Sequence, residues 1–376
     1  MKILFITPSE VQPLNGGIER ITSSLAKVLQ EEYAYSCRFV DLVSGCSKEQ
    51  LENEIKQQHI DIIITQGADK RIANLLPTLR EIIDGLERKV SLLFVFHSNP
   101  GVELATMDYG ALWNRILYGI DRKASFKQLG WQLMQPFVEK RMIAHLKKKY
   151  RVPYDYADRI VLLSKRFIPE YQFFSGGDTS HFMAIPNMLS FDSETKPAEK
   201  KTKTVLLVSR MEERQKRIKL ALKIWDKVHH NGWQLKIVGA GEDLDYYKRL
   251  AKKWDVQDVS FEGRQNPLPY YKESPIFMMT SAFEGWGLTL TEAQQCGCVP
   301  IVFDTYASLP DIVTDGRNGI IVREGDIEQY ITELQSLMGN PELLQDLAKN
   351  AQEDCQRYTP KKVASQWHKL FTELAK

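Results

Sequence analysis

Short continuous apolar runs alternate along the chain with stretches whose apolar positions recur at helical spacing. Ile3 to Thr7 is the first run, and Ile18, Ile21, Leu25 and Val28 mark one face of a helix over Ile18 to Tyr33. Arg38 to Val43, Asp61 to Thr65, Val90 to Phe96 and Arg159 to Leu163 follow as strands. Strands that are apolar throughout, separated by amphipathic segments, predict βαβ units and a parallel sheet covered on both faces. Over Leu189 to Lys203 the pattern lapses into charged and polar residues with one proline, which predicts an interdomain linker. The rhythm then restarts, with strands at Thr204 to Val208, Gln234 to Val238, Val259 to Glu262, Ile276 to Met279, Val299 to Phe303 and Gly319 to Val322, and a helix over Arg217 to His229. The fold class is therefore α/β: two doubly wound parallel-sheet domains, residues 1–188 and 204–358, with a last helix in 359–376. Ligands of open α/β sheets bind at the C-terminal ends of the strands, so two such sheets predict a central cleft that they face.

Length and composition change this picture little. A chain of 376 residues suits two domains. At 43% hydrophobic and 26% charged it has the composition of a globular protein, and a net charge of +2 predicts no bulk attraction to nucleic acid. Cys37, Cys46, Cys296, Cys298 and Cys355 lack metal-ligand spacing and read as reduced, mostly buried thiols of a cytosolic protein. Lys2 to Pro8 is too short for a signal peptide, and no window approaches the ~18 to 20 apolar residues of a spanning helix. The expected location is cytoplasmic.

Candidate chemistry concentrates in Ser281-Ala-Phe-Glu-Gly-Trp-Gly-Leu-Thr-Leu-Thr-Glu-Ala-Gln-Gln-Cys-Gly297, which follows an apolar strand and opens a helix near Gly287. Gly285 and Gly287 let backbone approach a ligand, and free N–H groups at a helix start suit phosphate or hydroxyl oxygens. Glu284 precedes that helix and Glu292 lies within it. Carboxylates accept strong charge-assisted bonds from sugar hydroxyls and sit poorly beside bare phosphate. Arg210 and Lys216, after the strand Thr204 to Val208, could clamp a diphosphate and neutralise the charge growing on it as a glycosidic bond breaks; a lone pair of loop cations is more often merely solvated.

Glu284 and Glu292 with seven residues between them, inside Phe-Glu-Gly-Trp-Gly-Leu…Glu-Ala…Gly, resemble the signature of the retaining glycosyltransferases of family 4, whose fold is GT-B. The resemblance implies two Rossmann-like domains, with the C-terminal helix crossing back to the N-terminal one. It implies that Glu284 contacts the donor sugar, that the turn from Gly285 through Trp286, Gly287, Leu288 and Thr289 contacts sugar or phosphate, and that Glu292 holds the ribose. Trp286 stands where the family more often has Phe. Arg210 and Lys216 match the family's diphosphate clamp, and Gly263 and Arg264 match where backbone meets the base. Gly16 and Gly17 match a loop near the diphosphate, and His97 a residue near the transferred sugar. Gly239, in Val238-Gly-Ala-Gly-Glu242, is a weak nucleotide-binding signal by itself, because the third glycine of a dinucleotide fingerprint is replaced by Leu244. A NAD enzyme is disfavoured. Asp243 and Asp245 read as acids at a helix start rather than metal ligands, and Asn187 reads as structural.

The pieces occur in family order from Gly16 to Val322, and the match is thinnest from Gly101 to Tyr150. Residues 111–151 mix Trp113, Trp131 and Phe137 with Lys140, Arg141, Lys147, Lys148, Lys149 and Arg151. Such a segment could lie on an anionic leaflet, each basic residue adding about 1 kcal/mol, or pack its aromatics inward and solvate its lysines. Both readings stay open. The resemblance implies transfer of a hexose-type sugar from a nucleotide sugar, UDP favoured over GDP, to a hydroxyl of a glycan or lipid-linked acceptor in bacterial surface polysaccharide or glycoconjugate synthesis. It implies a front-face mechanism without metal or other cofactor. A nucleotide-sugar epimerase of the same fold and a non-catalytic sugar-nucleotide adaptor are the alternatives.

Overall fold

A computed structural model describes residues 1–11, 16–42, 45, 47–67, 70–105, 135–192 and 195–376. Of the predicted features, residues 13–15 of the Gly-Gly loop, Cys46 and residues 111–134 of the basic and aromatic segment lie outside the described residues. The chain divides into two compact units, Met1–Ile185 with Gln366–Lys376, and Pro186–Ser365.

The first unit is a six-stranded sheet: β1 Lys2–Thr7, β2 Ser36–Asp41, β3 Ile62–Gln66, β4 Ser91–Phe96, β5 Arg159–Leu162 and β6 Phe182–Ala184, in the order β2-β1-β3-β4-β5-β6. Every pairing is parallel. Ile3 through Ile6 are wholly buried, as a strand with helices on both faces requires. The helix Gly17–Tyr33 follows β1, packs beside β2 and buries Ile21, Leu25 and Leu29. It ends where Ala34 turns left-handed at φ 53°, the Ala34 N–H donating to the Gln30 carbonyl and the Tyr35 N–H to that of Leu29. The expected strand over Arg38 to Val43 is shifted to Ser36–Asp41, because β2 is an edge strand whose register follows β1, with Lys2 opposite Ser36 and Thr7 opposite Asp41. The edge strand β6 escapes a sequence reading: it is three residues long and mostly half-buried. Residues of the C-terminal helix Pro360–Leu374 from Gln366 onward pack in this unit, where His368 stacks on Tyr33 at 4.2 Å and its Nδ1 lies 2.6 Å from the Tyr35 hydroxyl.

The second unit is also six parallel strands: β7 Thr204–Val208, β8 Gln234–Val238, β9 Val259–Gly263, β10 Ile276–Met279, β11 Val299–Phe303 and β12 Ile320–Val322, in the order β12-β11-β10-β7-β8-β9. Its core packs Leu207, Ile237, Met278 and Ile301 of the sheet against Trp225, Tyr247 and Leu334 of the helices. The polar stretch 189–203 is tied to this unit: Gln295 Nε2 donates to the carbonyls of Phe191 and Asp192, and Lys201 Nζ to those of Ser274 and Cys296. The expected helix over Arg217 to His229 is corrected to Ile218–Lys227, preceded by a separate turn of helix Glu213–Lys216. Arg217 breaks the two apart at φ 50°. In both sheets strand order reverses beside the first strand, between β1 and β3 and between β7 and β10, and such switch points open a crevice at the C-terminal strand ends.

Candidate active site

At the second switch point two loops meet, one leaving β7 through Ser209 to Arg217 and the other leaving β10 through Thr280 to Gly287. Arg217 donates from Nε to the Thr280 carbonyl at 2.7 Å and from Nη2 to the Ser281 carbonyl at 3.0 Å. The Thr280 hydroxyl returns a bond to the Lys216 carbonyl at 2.9 Å, and the Ala282 N–H one to the Gln215 carbonyl at 2.7 Å. Arg217 also pairs with Glu324 beyond β12 and lies over the Phe303 ring. A left-handed conformation costs a non-glycine residue roughly 1–2 kcal/mol; here it aims a guanidinium back at the carbonyls that begin the next loop.

This stapling brings Lys216 to Glu284. Their Nζ and Oε1 are 2.5 Å apart, and the side chains are only 12% and 10% exposed. Gln215 Nε2 donates to Glu284 Oε2 at 3.3 Å and to the Phe283 carbonyl at 3.2 Å. Its Oε1 accepts from Arg210 Nη2 at 2.9 Å, although the Arg210 side chain is 71% exposed. Two cations and a carboxylate thus form one cluster. Tyr306 is buried beside Glu284, and burial together with that carboxylate pushes its phenol well above its ordinary pKa, so it stays a neutral hydroxyl.

Gly287, at φ 87°, precedes the helix Leu288–Gln295 and offers it no side-chain cap; its carbonyl takes the Leu290 N–H at 2.9 Å, and N–H groups at a helix start of this kind suit an anion or a hydroxyl. Within the helix Glu292 is 1% exposed and accepts from the Tyr271 hydroxyl at 3.1 Å. Trp286 is buried edge-on against Tyr358, and its indole N–H has no hydrogen-bond partner among the described residues, a cost that Phe at this position would avoid.

Other expected residues have structural explanations beside the functional one. A Cβ on Gly239 would lie 1.8 Å from the Ser209 carbonyl oxygen, and one on Gly241 2.5 Å from the Met211 oxygen, so both let the loop after β8 lie against the loop after β7. Gly263 adopts φ 71° at a register irregularity between β8 and β9, and Arg264 beside it is exposed. Asp243 opens the helix Leu244–Trp254 without capping it; its carboxylate instead accepts from the Glu213 N–H at 2.9 Å. Asn187 is buried.

In the first unit Gly16 and Gly17 begin the helix after β1, where Ser9 hydrogen-bonds Glu19 at 2.8 Å. His97 follows β4, half-buried, its Nε2 bonded to Gln66 Oε1 at the end of β3. Burial lowers its imidazole to a pKa of about 4, so the ring is neutral near pH 7. With Gln66 Oε1 as acceptor the proton sits on Nε2 and Nδ1 keeps its lone pair. Gln66, Gln215, Arg217, Tyr271 and Tyr306 were not found from sequence. Position at the end of an apolar strand could have flagged Gln66; nothing local marks Tyr271.

Residues 190–354 match the family model described as glycosyl transferases group 1. An uncharacterized glycosyltransferase of Haemophilus influenzae is 25% identical over 357 residues, 94% of this chain and 95% of the relative. The amylovoran biosynthesis glycosyltransferase AmsD of Erwinia amylovora is 28% identical over 174 residues, 46% of this chain and 49% of its own length. Sucrose-phosphate synthase of Thermosynechococcus elongatus superposes with a TM-score of 0.73 at 16% identity, over 100% of this chain and 99% of that one. Anabaena HepE in complex with UDP and glucose gives 0.71 at 16% identity, over 99% and 100%. The structural likeness establishes the fold as GT-B. The family match and the relatives support a glycosyltransferase of group 1.

Proposed function

We propose that the protein is a retaining glycosyltransferase of family 4 that moves a hexose-type sugar from a nucleotide sugar, UDP before GDP, to a hydroxyl of a glycan or lipid-linked acceptor in bacterial surface polysaccharide synthesis. The observation that carries this reading is the cluster of Arg210, Lys216, Gln215 and Glu284 at the carboxyl ends of β7 and β10. Arg210 and Lys216 meet the diphosphate and stabilise the charge that accumulates as the bond from the anomeric carbon to phosphate oxygen breaks. Glu284 and the opening amides of the helix Leu288–Gln295 hold sugar hydroxyls and phosphate, and Glu292, oriented by Tyr271, holds the ribose. The acceptor oxygen bonds to the anomeric carbon on the face the phosphate leaves, and its proton passes to the departing phosphate oxygen. That step uses no enzyme nucleophile and, because the two cations carry the charge, no metal. His97 offers a neutral acceptor nitrogen to a hydroxyl. HepE, of the same fold, was solved with UDP and glucose, which favours a uridine donor.

No helix among the described residues is long and apolar enough to cross a membrane. Lys140, Arg141, Lys147, Lys148 and Arg151 are exposed on the helix Gln135–Tyr156, and Lys147 lies over the ring of Phe173, which is 58% exposed. A cationic face with a projecting aromatic suits an anionic leaflet, so we assign the protein to the cytoplasm with peripheral contact at the membrane's inner face.

A thermal-shift series of UDP and GDP sugars identifies the donor, since a ligand at ~100 times its dissociation constant stabilises by about 2.7 kcal/mol. Product analysis then separates a new glycoside from an isomerised donor. Transfer that survives chelators, and is lost in Arg210→Ala and Glu292→Ala, is the expected result. Unchanged nucleotide binding and turnover in those variants would sink the proposal.

A further inference from the structure

We infer that Gln215 is a positioning residue that couples the diphosphate side of the site to the sugar side; this rests on the glycosyltransferase reading above. Its main chain is anchored independently of its side chain, through the Ala282 N–H on its carbonyl at 2.7 Å. The side-chain amide is therefore available to work in both directions. Its Oε1 accepts from Arg210 at 2.9 Å, and its Nε2 donates to Glu284 Oε2 at 3.3 Å and to the Phe283 carbonyl at 3.2 Å.

The two neighbours need it for different reasons. Arg210 is 71% exposed, so packing does little to fix its guanidinium; its Nη2 is directed by the Gln215 oxygen at 2.9 Å, with Glu212 Oε2 farther off at 3.7 Å. Glu284 is buried, and Lys216 engages only Oε1. The Gln215 amide takes Oε2, so the carboxylate is held from both oxygens and its plane is set before a sugar arrives. A primary amide accepts from a guanidinium through its oxygen and donates to a carboxylate through its nitrogen, so one uncharged group serves both neighbours. A diphosphate that draws Arg210 away from Oε1 also relaxes the amide that orients Glu284, and a sugar hydroxyl that takes up Oε2 releases it toward Arg210.

Two substitutions in the full-length protein read the two ends separately. Gln215→Glu keeps the acceptor for Arg210 and loses the donor to Glu284. Gln215→Lys keeps a donor for Glu284 and repels Arg210. Titration calorimetry with UDP, and with the UDP sugar that stabilises wild type most, gives for each variant the affinity for UDP and the ratio of sugar nucleotide to UDP affinity. One hydrogen bond to a charged group corresponds to roughly tenfold. Gln215→Glu is expected to lower the ratio about tenfold with UDP affinity within about threefold of wild type. Gln215→Lys is expected to lower UDP affinity about tenfold with the ratio within about threefold. A residue that only supports the fold would lower both quantities together in both variants, along with the melting temperature, and that overturns the inference. Wild type that binds while both variants match it also overturns the inference alone. Wild type that binds no nucleoside diphosphate or nucleotide sugar overturns the glycosyltransferase reading, and the inference with it.

Discussion

The two sheets share an architecture, yet their switch points are furnished differently. Beside β7 and β10, charged side chains are drawn together and tied down: Lys216 by the Glu284 carboxylate, Arg210 by the neutral amide of Gln215, Arg217 by two main-chain carbonyls. Beside β1 and β3 Ser9 bonds the Glu19 carboxylate, and the groups at the strand ends are otherwise mostly neutral. Gly67 turns at φ 106° against Pro8 and Ile18, and the nearby His97 is kept uncharged by burial. The difference shows what each unit can offer. Under the proposed function, the charged, preorganised cluster would stabilise a diphosphate as its charge grows, whereas the neutral ring would bind hydroxyls without repelling or attracting phosphate.

The sharpest way to break this contrast is Lys216→Ala, which leaves Glu284 buried without its cation. Denaturant titration should show a loss of about 3–5 kcal/mol, and Lys216→Ala with Glu284→Ala together should cost less than Lys216→Ala alone. Next comes Arg217. Arg217→Ala loses both carbonyl bonds and keeps the left-handed backbone, for an expected loss of about 2–3 kcal/mol. Arg217→Gly loses the same bonds but adopts φ 50° freely, so it should be about 1 kcal/mol more stable than Arg217→Ala. Equal stability of the two would mean that the left-handed turn carries no strain.

A smaller effect sharpens the neutral side. The folded pKa of His97 is about 4 against an ordinary 6.5, so below pH 6.5 the unfolded chain takes up a proton that the folded chain refuses. Stability contributed this way is full above pH 6.5 and falls as the pH drops toward 4, at no more than about 1.4 kcal/mol per pH unit. His97→Gln should flatten that part of the stability profile; a profile identical to wild type would contradict a buried neutral ring. The smallest change is expected at Trp286→Phe. Removing an unpartnered buried N–H offsets the lost volume, so melting should shift by less than about 1 kcal/mol.

Much of this was legible before any coordinates. The strands β7, β10 and β11 have the bounds that the apolar runs predict, because a strand buried on both faces announces itself as a nearly unbroken apolar run, and β8, interrupted by Gln234 and Lys236, has its expected bounds as well. Glu284, Arg210 and Lys216 were marked by charged groups in the loops after such strands, and Glu292 by its spacing from Glu284 in the helix that follows. Edge strands were less legible: β2 is displaced and β6 absent from the reading, since one-sided burial relaxes the pattern. The break at Arg217 was invisible, because left-handed turns are ordinarily signalled by Gly or Asn and an arginine gives no warning. Gln215, Tyr271 and Gln66 look like any other polar residues until a fold sets partners beside them.

By itself, then, the sequence determined two parallel sheets and the chemistry at the carboxyl ends of their strands, because periodic burial and local spacing are properties of short windows. Which groups touch was decided only by tertiary structure. Lys216 and Glu284, Gln215 and Ala282, Arg217 and Thr280 lie on segments more than sixty residues apart. They meet because β7 and β10, distant in sequence, are neighbours in the sheet, and that adjacency follows from how crossovers close rather than from any residue in either loop.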